Sequence, residues 1–385
     1  MKPVKLPGAV YVDTHKHLRQ LAAQWARQPM LAVDTESNSL YAYREQGCLI
    51  QISTNEADYI IDPLAIDDLQ PLAPLMADPQ IEKIFHAAEY DVMCLKRDFG
   101  FSFRNIFDTM VAARICGHKS IGLGNLLLKY VGIELDKSHQ RDDWGQRPLP
   151  ADSLSYAQTD THYLIQLRGQ LKAELEAMGR WPEAAETFAE LCDITPPNLE
   201  FDPEGYWRIA LPNSLSAREI AVLRELYLLR EALAERRNTP PFKIFGDKTM
   251  TAIATTMPRR LEDLEAMGGI SNLQVQRFGR DLLKAVQRGE QSPLPEPPPL
   301  EPPADPNAVE CYTALREWRK QRAQARGVES DVIISKDTLW QLAQKLPLTL
   351  EDLQGFVGLG PWRMESYGHE LLEVLSRYSY NGHKR

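Results

Sequence analysis

The chain has 385 residues, of which 43% are hydrophobic and 25% are charged, a composition typical of a protein with two or three folded domains. No apolar run approaches the roughly 18 residues that a membrane span requires, and the amino terminus lacks the apolar core of a secretory signal, so we expect a cytoplasmic protein without a membrane partner. The five cysteines include no Cys-x-x-Cys pair, which argues against a zinc site and against a disulfide framework.

The net charge of -9 argues at first against a nucleic-acid partner, because phosphate binding usually leaves a basic footprint. The charge is unevenly distributed along the chain. Residues 1–200 contain 19 Lys and Arg against 28 Asp and Glu, whereas residues 201–385 contain 25 of each sign. Bound divalent cations reverse the local charge of an acidic site, so an acidic domain that holds metal ions can still accept a phosphodiester.

Hydrophobic periodicity predicts a helix over residues 14–27 and strands over 30–33, 48–53 and 59–61. Helical periods then alternate with short apolar runs, at residues 69–76, 83–86, 91–99, 108–116 and 124–131. Three early strands followed by such an alternation predict an α/β fold, with a mixed sheet and flanking helices.

Beyond an irregular segment at residues 196–212, the pattern is helical and repeats itself. The tetrapeptide Leu-Glu-Asp-Leu at 261–264 recurs at 350–353, and two copies of one helical bundle explain the repeat. Between the copies, Ser292–Pro306 holds eight prolines, which predicts a semi-rigid spacer. The expected domains are residues 1–205, residues 211–290, a linker at 291–307, and residues 308–385.

Four carboxylates stand in contexts that would aim them at one point. Asp34 and Glu36 follow an apolar run, and positions i and i+2 of a strand face the same side. Tyr156 lies four residues before Asp160 in a helical pattern, which puts the phenol one turn from the carboxylate. Asp91 opens another helical period. Converging carboxylates need a cation between them, and hard oxygen ligands suit Mg²⁺ or Mn²⁺ better than zinc.

These motifs, in this order, resemble those of the DEDD superfamily of 3′-5′ exonucleases, in the subgroup whose third motif is Tyr-x-x-x-Asp. Further segments resemble bacterial ribonuclease D, namely residues 48–53, 106–110, 123–126 and 143–149. The helical half resembles two HRDC modules. The resemblance implies a ribonuclease H-like 3′-5′ exonuclease domain followed by two all-α HRDC bundles.

The same resemblance implies catalysis by two divalent metal ions, Mg²⁺ or Mn²⁺. Asp34 would bridge both ions, Glu36 and Asp160 would complete the site that activates water, and Asp91 would hold the second ion. Tyr156 would orient the attacking water, because a phenol is too weak an acid to be a credible free base at neutral pH. The implied reaction releases nucleoside 5′-monophosphates from the 3′ end of RNA, with tRNA precursors and small structured RNAs as substrates and no obligate protein partner.

Two other functions remain open on the sequence. Proofreading DNA exonucleases use the same four acids, and the two helical modules would also suit a non-catalytic scaffold that binds nucleic acid. Each carboxylate taken alone also has a structural interpretation as a surface acid or a helix cap. Asp91, for example, is placed where it would be the N-cap of its helix.

Candidates for substrate binding are less specific. Trp144 and Arg147 would stack on a base and hold a phosphate, although Trp144 would equally suit an anchor for its loop. Tyr41 has the same two interpretations, and His86 is expected to be a hydrogen-bonded residue lining the site. Basic stretches of the helical half are either RNA contacts or solvated helix faces; in the second copy they include Arg316, Arg319, Lys320, Arg322 and Arg326.

Overall fold

The structure is a computed structural model that describes residues 6–135, 138–299 and 305–379. The chain forms two compact units. The first contains residues 1–37, 47–196 and 303–385, and the second contains residues 38–46 and 197–302. No helix in these described ranges is long and apolar enough to cross a membrane.

A six-stranded mixed sheet forms the centre of the first unit, in the order β1-β4-β3-β2-β5-β6. Its strands are β1 (Val10–Val12), β2 (Met30–Ser37), β3 (Gly47–Ser53), β4 (Asp58–Ile61), β5 (Glu82–Phe85) and β6 (Ile106–Asp108). The central strand β2 pairs antiparallel with β3 and parallel with β5. The predicted mixed sheet is therefore confirmed, and β2 runs four residues beyond its predicted end at residue 33.

Helices cover both faces of the sheet. They are α1 (His15–Trp25), α2 (Ala73–Ala77), α3 (Glu89–Phe99), α4 (Thr109–Cys116), α5 (Leu123–Tyr130), α6 (Ala151–His162), α7 (Leu164–Ala177) and α8 (Trp181–Cys192). Because successive strand residues point to opposite faces, Val33 joins the apolar core that also contains residues of α1 and α3. Ala32 joins the core built with α4, α7 and α8.

The second unit is helical. It contains α9 (Trp207–Ala210), α10 (Ala217–Arg236), α11 (Pro241–Ile244), α12 (Asp247–Thr256), α13 (Leu261–Ala266) and α14 (Asn272–Gln291), which enclose one apolar core. The loop at residues 38–46 connects β2 to β3 in the chain, yet it groups with these helices. We call α10–α14 the first helical copy.

The second helical copy consists of α15 (Pro306–Arg326), α16 (Ser330–Ile333), α17 (Lys336–Lys345) and α18 (Pro361–Ser379). It belongs to the first unit and packs against α8, where Val332 joins the core around Trp181 and Phe188. Of the proline-rich spacer, residues 293–299 form neither helix nor strand. Residues 300–304, on which part of the spacer prediction rests, lie outside the described residues.

Candidate active site

The pleat of β2 sorts its polar residues onto two faces. Asp34 and Glu36 share the face of Ala32, whereas Thr35 shares the face of Val33, against which α3 packs. Asp160, on α6, completes the first group. The carboxylate oxygens of Asp34, Glu36 and Asp160 lie within 4.8 Å of one another. We call these three residues the carboxylate cluster.

Asp91 lies at the third position of α3 and is buried. Its Oδ1 accepts hydrogen bonds from the Thr35 backbone N–H, at 3.1 Å, and from the Thr35 hydroxyl, at 2.6 Å. The N-cap of α3 is Ala88, so the alternative interpretation of Asp91 as the helix N-cap is wrong. Asp91 instead ties the start of α3 to the strand that carries Asp34 and Glu36.

Asp108 fixes the same helix from the other side. Its carboxylate caps α4 by accepting from the backbone N–H groups of Met110 and Val111. It also accepts from the N–H groups of Ala87, at 3.2 Å, and Ala88, at 2.7 Å, at the start of α3. One buried acid thus holds two helix starts, and thereby sets the position of Asp91.

The acids of the site repel each other in the absence of a cation. Burial, followed by the charges of Asp34 and Asp160, raises the pKa of Glu36 to about 10, and burial raises the pKa of Asp160 to about 7. The pKa of Asp34 lies well above its usual range because of burial and the charge of Asp160. Burial and the charge of Asp34 do the same for the pKa of Asp91. Buried, mutually repelling oxygen ligands at this spacing fit a hard divalent cation.

Tyr156 lies one turn before Asp160 on α6, close enough for the charge of that carboxylate to act on the phenol. Burial and the charge of Asp160 raise the pKa of the phenol far above its usual value, so it remains protonated. The ring lies between Trp144 and His139, with centroids 6.2 Å away in both cases. A cleft of about 310 Å³ opens beside it, lined by Tyr156, Asp160, Ser155, Thr159, His139 and further residues of α6 and the segment before it.

Two predicted substrate contacts are corrected by the structure. Trp144 is only 1% exposed and packs in a core with Leu49 and Ala157, so it anchors its loop and offers no face to a base. The Arg147 guanidinium forms two 2.7 Å hydrogen bonds with Asp62 and further bonds with the backbone carbonyls of Trp144, Gln146 and Cys48. Because its N–H donors form hydrogen bonds within the protein, Arg147 stabilises the loop and does not bind a phosphate.

His86 follows β5 and lies outside the carboxylate cluster. Its Nδ1 is 2.9 Å from the Thr109 hydroxyl, which donates its own proton to the Phe85 carbonyl. The ring is therefore the Nδ1–H tautomer, and burial lowers its pKa to about 4. Tyr41 lies in the loop that groups with the first helical copy.

Sequence reasoning did not assign three residues near the site. Thr35 holds Asp91, Asp108 holds the start of α3, and Asp142 accepts hydrogen bonds from His139, at 2.8 Å, and from Ser153. For Asp108 a signal existed, since an acid directly before an apolar helical period is typical of an N-cap. For Thr35 the partner Asp91 lies on another segment, and no local pattern reveals it. For Asp142, His139 is three residues away and only Ser153 is more distant.

A second group of possible metal ligands lies elsewhere in the first unit. Ligand atoms of Cys116, His118 and Glu174 lie within 4.8 Å of one another. The Tyr130 hydroxyl donates to Glu174 and lies 2.8 Å from the His118 Nε2, and the Lys129 ammonium lies 3.1 Å from its Nδ1. These hydrogen bonds and the lysine charge satisfy the polar atoms without an ion.

Comparison with known proteins places this geometry in a family. A 3′-5′ exonuclease family model matches residues 9–176, and an HRDC domain model matches residues 219–286 and 309–375. The chain is 30% identical to ribonuclease D of Pseudomonas paraeruginosa, over 97% of this chain and 99% of that protein. It is 31% identical to ribonuclease D of Acidiphilium cryptum, over 97% of this chain and 95% of that protein. The chain belongs to the ribonuclease D family.

Solved structures agree with the assignment to ribonuclease D. The crystal structure of Escherichia coli RNase D, described as an exoribonuclease involved in structured RNA processing, has a TM-score of 0.70 and 27% identity, covering 97% of this chain and 100% of that one. The catalytic core of RRP6 from Trypanosoma brucei has a TM-score of 0.66 and 31% identity, covering 76% of this chain and 82% of that one. The predicted fold class and the predicted 3′-5′ exoribonuclease activity are confirmed. An exonuclease domain of this type uses divalent cations, for which the carboxylate cluster supplies oxygen ligands.

Proposed function

We propose that this ribonuclease D family member is a two-metal exoribonuclease that acts in the cytoplasm and removes nucleoside 5′-monophosphates one at a time from the 3′ end of RNA. The observation that carries the proposal is the approach of Asp34, Glu36 and Asp160 to within 4.8 Å of one another. The proposed substrates are tRNA precursors and other small structured RNAs with a single-stranded 3′ end; the Escherichia coli relative is described as acting in structured RNA processing.

Each side chain has a proposed role in hydrolysis. Asp34, Glu36, Asp91 and Asp160 would hold two divalent ions, Mg²⁺ or Mn²⁺, with Asp34 contributing to both, Glu36 and Asp160 to one, and Asp91 to the other. When bound, the two ions supply an activated water and stabilise the charge of the transition state and of the leaving oxygen.

The protein itself supplies orientation. Thr35 and Asp108 keep Asp91 in place through α3 and β2. Tyr156 donates from its hydroxyl and, because its raised pKa keeps it protonated, serves to orient the attacking water without removing a proton from it.

The test compares matched RNA and DNA oligonucleotides, labelled at the 5′ end, with Mn²⁺ or Mg²⁺ added to protein treated with a chelator. We expect RNA to shorten from its 3′ end with release of nucleoside 5′-monophosphates, and DNA to be cut more slowly. Faster cutting of DNA would favour the proofreading-type alternative, and tight binding without cutting would favour a scaffold.

The matched control is Asp34→Asn, which removes the charge of a ligand while keeping its shape. Its rate should fall by about 100-fold or more, because metal-based charge stabilisation is worth several kcal/mol. Retention of more than about a tenth of the wild-type rate would rule out the metal assignment.

A further inference from the structure

An exposed set of aromatic and basic side chains lies in the second unit, outside the carboxylate cluster. It consists of Tyr41, in the loop at residues 38–46, and of Phe242 and Lys243 on α11. We call these three residues the aromatic–basic patch. The Lys243 ammonium lies 4.2 Å from the centre of the Tyr41 ring, so the loop and the helix form one surface.

The loop that carries Tyr41 is fixed in shape. Asn38 closes it, because its backbone carbonyl accepts from the N–H groups of Tyr41 and Ala42, and its side chain accepts from the N–H of Gln46 at 2.9 Å. Tyr43 then fastens the loop to α10 and the residues after it. The Tyr43 hydroxyl donates to Glu231, and the Tyr43 N–H donates to the Asn238 side chain at 3.2 Å. Tyr41 is therefore presented on a rigid support.

The patch has the chemistry of a site for single-stranded nucleic acid. Phe242 is 57% exposed and Tyr41 is 36% exposed, which is unusual for aromatic rings that only fill a core. Lys243 is exposed, and the contact of its ammonium described above is with the Tyr41 ring. Its positive charge is therefore available to a phosphate, while aromatic rings accept stacked bases of any sequence.

The position of Tyr41 in the chain connects the patch to the metal strand. Tyr41 follows Glu36 by five residues, and five residues of chain span at most about 18 Å. The loop that carries Tyr41 therefore begins directly after the strand that carries two of the proposed metal ligands.

We propose that the aromatic–basic patch binds the single-stranded nucleotides that precede the 3′ end of the RNA substrate, with bases stacked on Tyr41 and Phe242 and a phosphate held by Lys243. This inference rests on the proposed function, since it assumes that RNA is degraded at the carboxylate cluster. It assigns to the first helical copy, together with the loop at residues 38–46, the task of holding the substrate strand.

The test uses the full chain and two unstructured RNAs, a trinucleotide, which offers at most two nucleotides before its 3′ end, and an oligonucleotide of about ten nucleotides. In Tyr41→Ala and Phe242→Ala, the KM for the long RNA should rise about tenfold, because stacking of one base is worth roughly 1–3 kcal/mol. The KM for the trinucleotide should change much less. In Lys243→Ala, the loss of one phosphate contact should reduce the steepness of log affinity for the long RNA against log salt concentration by about 0.7.

Two substitutions in the same unit are matched controls. Leu273→Ala removes an apolar side chain that is 53% exposed on α14, and Lys248→Ala removes an exposed charge on α12. Both should leave the KM values and the salt slope as in the wild type. The proposal is overturned if long-RNA binding is unchanged in Tyr41→Ala and Phe242→Ala, or if the controls weaken it equally.

Misfolding and failure of the proposed function give different results. A misfolded variant loses trinucleotide hydrolysis together with long-RNA binding. In that case Lys243→Ala, which alters no apolar contact of the core, tests the proposal through the salt dependence of its affinity for the long RNA. A wild-type protein that binds the long RNA through the patch but hydrolyses neither RNA would contradict the proposed function while leaving the patch intact.

Discussion

At the scale of single residues, the proposed hydrolysis depends on the hydroxyl of Tyr156, which lies one turn from Asp160 on α6. In Tyr156→Phe the ring keeps its packing between Trp144 and His139, so RNA affinity should stay nearly constant. Turnover should fall by about 100-fold, the usual effect of removing one positioning hydrogen bond that acts in the transition state. Separate measurement of kcat and KM on a short RNA tests this. A normal kcat would mean that Tyr156 only packs against its neighbours.

The same cluster should make metal binding depend on pH. Burial and repulsion raise the pKa of Asp160 to about 7 and that of Glu36 to about 10, so the metal-free folded state binds protons more tightly than the unfolded state does. Its free energy of unfolding therefore falls as pH rises from about 4 through these values. Divalent cations bind the deprotonated acids, so Mn²⁺ should raise the Tm more near pH 8 than near pH 5.5. Thermal denaturation of chelator-treated protein, with and without Mn²⁺, measures the difference.

Asp34→Asn is the control for this measurement, because it removes one ligand of the cluster and should abolish most of the response to Mn²⁺ in the Tm. A Tm increase that is equal at the two pH values, or that survives in the variant, would show that the cation binds elsewhere.

The placement of site residues was predictable where it depends on local periodicity. The strand period put Asp34 and Glu36 on one face, and the helical period put Tyr156 one turn from Asp160. It was not predictable where partners come from distant segments. Trp144 and Arg147 have the residue types of a nucleic-acid contact, but only the fold shows that Leu49 covers one and that Asp62 binds the other.

At the scale of elements, the two helical copies differ in how their last helix begins. In the first copy, Ser271 caps α14 and Gln274 bonds back to it. The corresponding positions in the second copy, 89 residues later, are Gly360 and Arg363. There Glu186 of α8 accepts hydrogen bonds from the backbone N–H groups of Trp362, at 2.6 Å, and Arg363. The catalytic domain thus caps a helix of the second copy.

Two features of the second copy fit this contact. A Cβ atom at Gly360 would overlap the Glu186 side chain, so glycine permits the close approach. The Arg363 guanidinium, 6% exposed, pairs with Glu186 at 3.0 Å and donates to Thr187. The two positions that form a capping box in the first copy are occupied in the second copy by residues that contact Glu186 of α8.

Glu186→Ala should therefore destabilise the protein although it touches no catalytic residue. It removes a helix cap and leaves a buried guanidinium without its main partner, a loss of about 3 kcal/mol or more in the free energy of unfolding. Denaturant unfolding measures the loss. The control is Glu373→Ala, which breaks the exposed pair with Arg377 on α18 and should cost less than about 1 kcal/mol. Equal stability of the two variants would contradict the capping role.

Among the elements, those with strong periodicity were predicted, as was the four-residue strand β4, whereas β1 was not. The predicted strand at residues 48–53 matches β3 within one residue, and the predicted helix at 14–27 matches α1 within two residues. Strand β1 has three residues and exists because it pairs with β4, a tertiary cause without a local pattern. The extension of β2 to Ser37 comes from pairing with β3, which polar residues alone do not predict.

At the scale of the whole molecule, the sequence repeat suggests two equivalent modules, whereas only the second copy belongs to the unit with the catalytic domain. Several basic residues of the second copy form ion pairs or hydrogen bonds within this unit. Arg326 pairs with Glu183, which is fully buried, Arg319 donates to the Ile334 carbonyl, and Arg322 pairs with Glu370. Arg326 and Arg319 thus have structural partners, whereas Arg322 is 45% exposed in its ion pair, and contact of these residues with RNA stays a prediction.

Removal of the second copy should consequently affect stability before it affects chemistry. Ending the chain at residue 302 removes the partners of Glu183 and Glu186 and exposes the apolar surface around Trp181 that Val332 covers. The Tm should fall by about 5 °C or more. Strands and helices that carry the carboxylate cluster remain, so kcat on a trinucleotide at low temperature should stay near the wild-type value. Differential scanning calorimetry and rate measurements on the same samples test both expectations. An unchanged Tm, combined with weaker and less salt-dependent binding of a folded RNA, would show instead that the second copy is an RNA-binding arm.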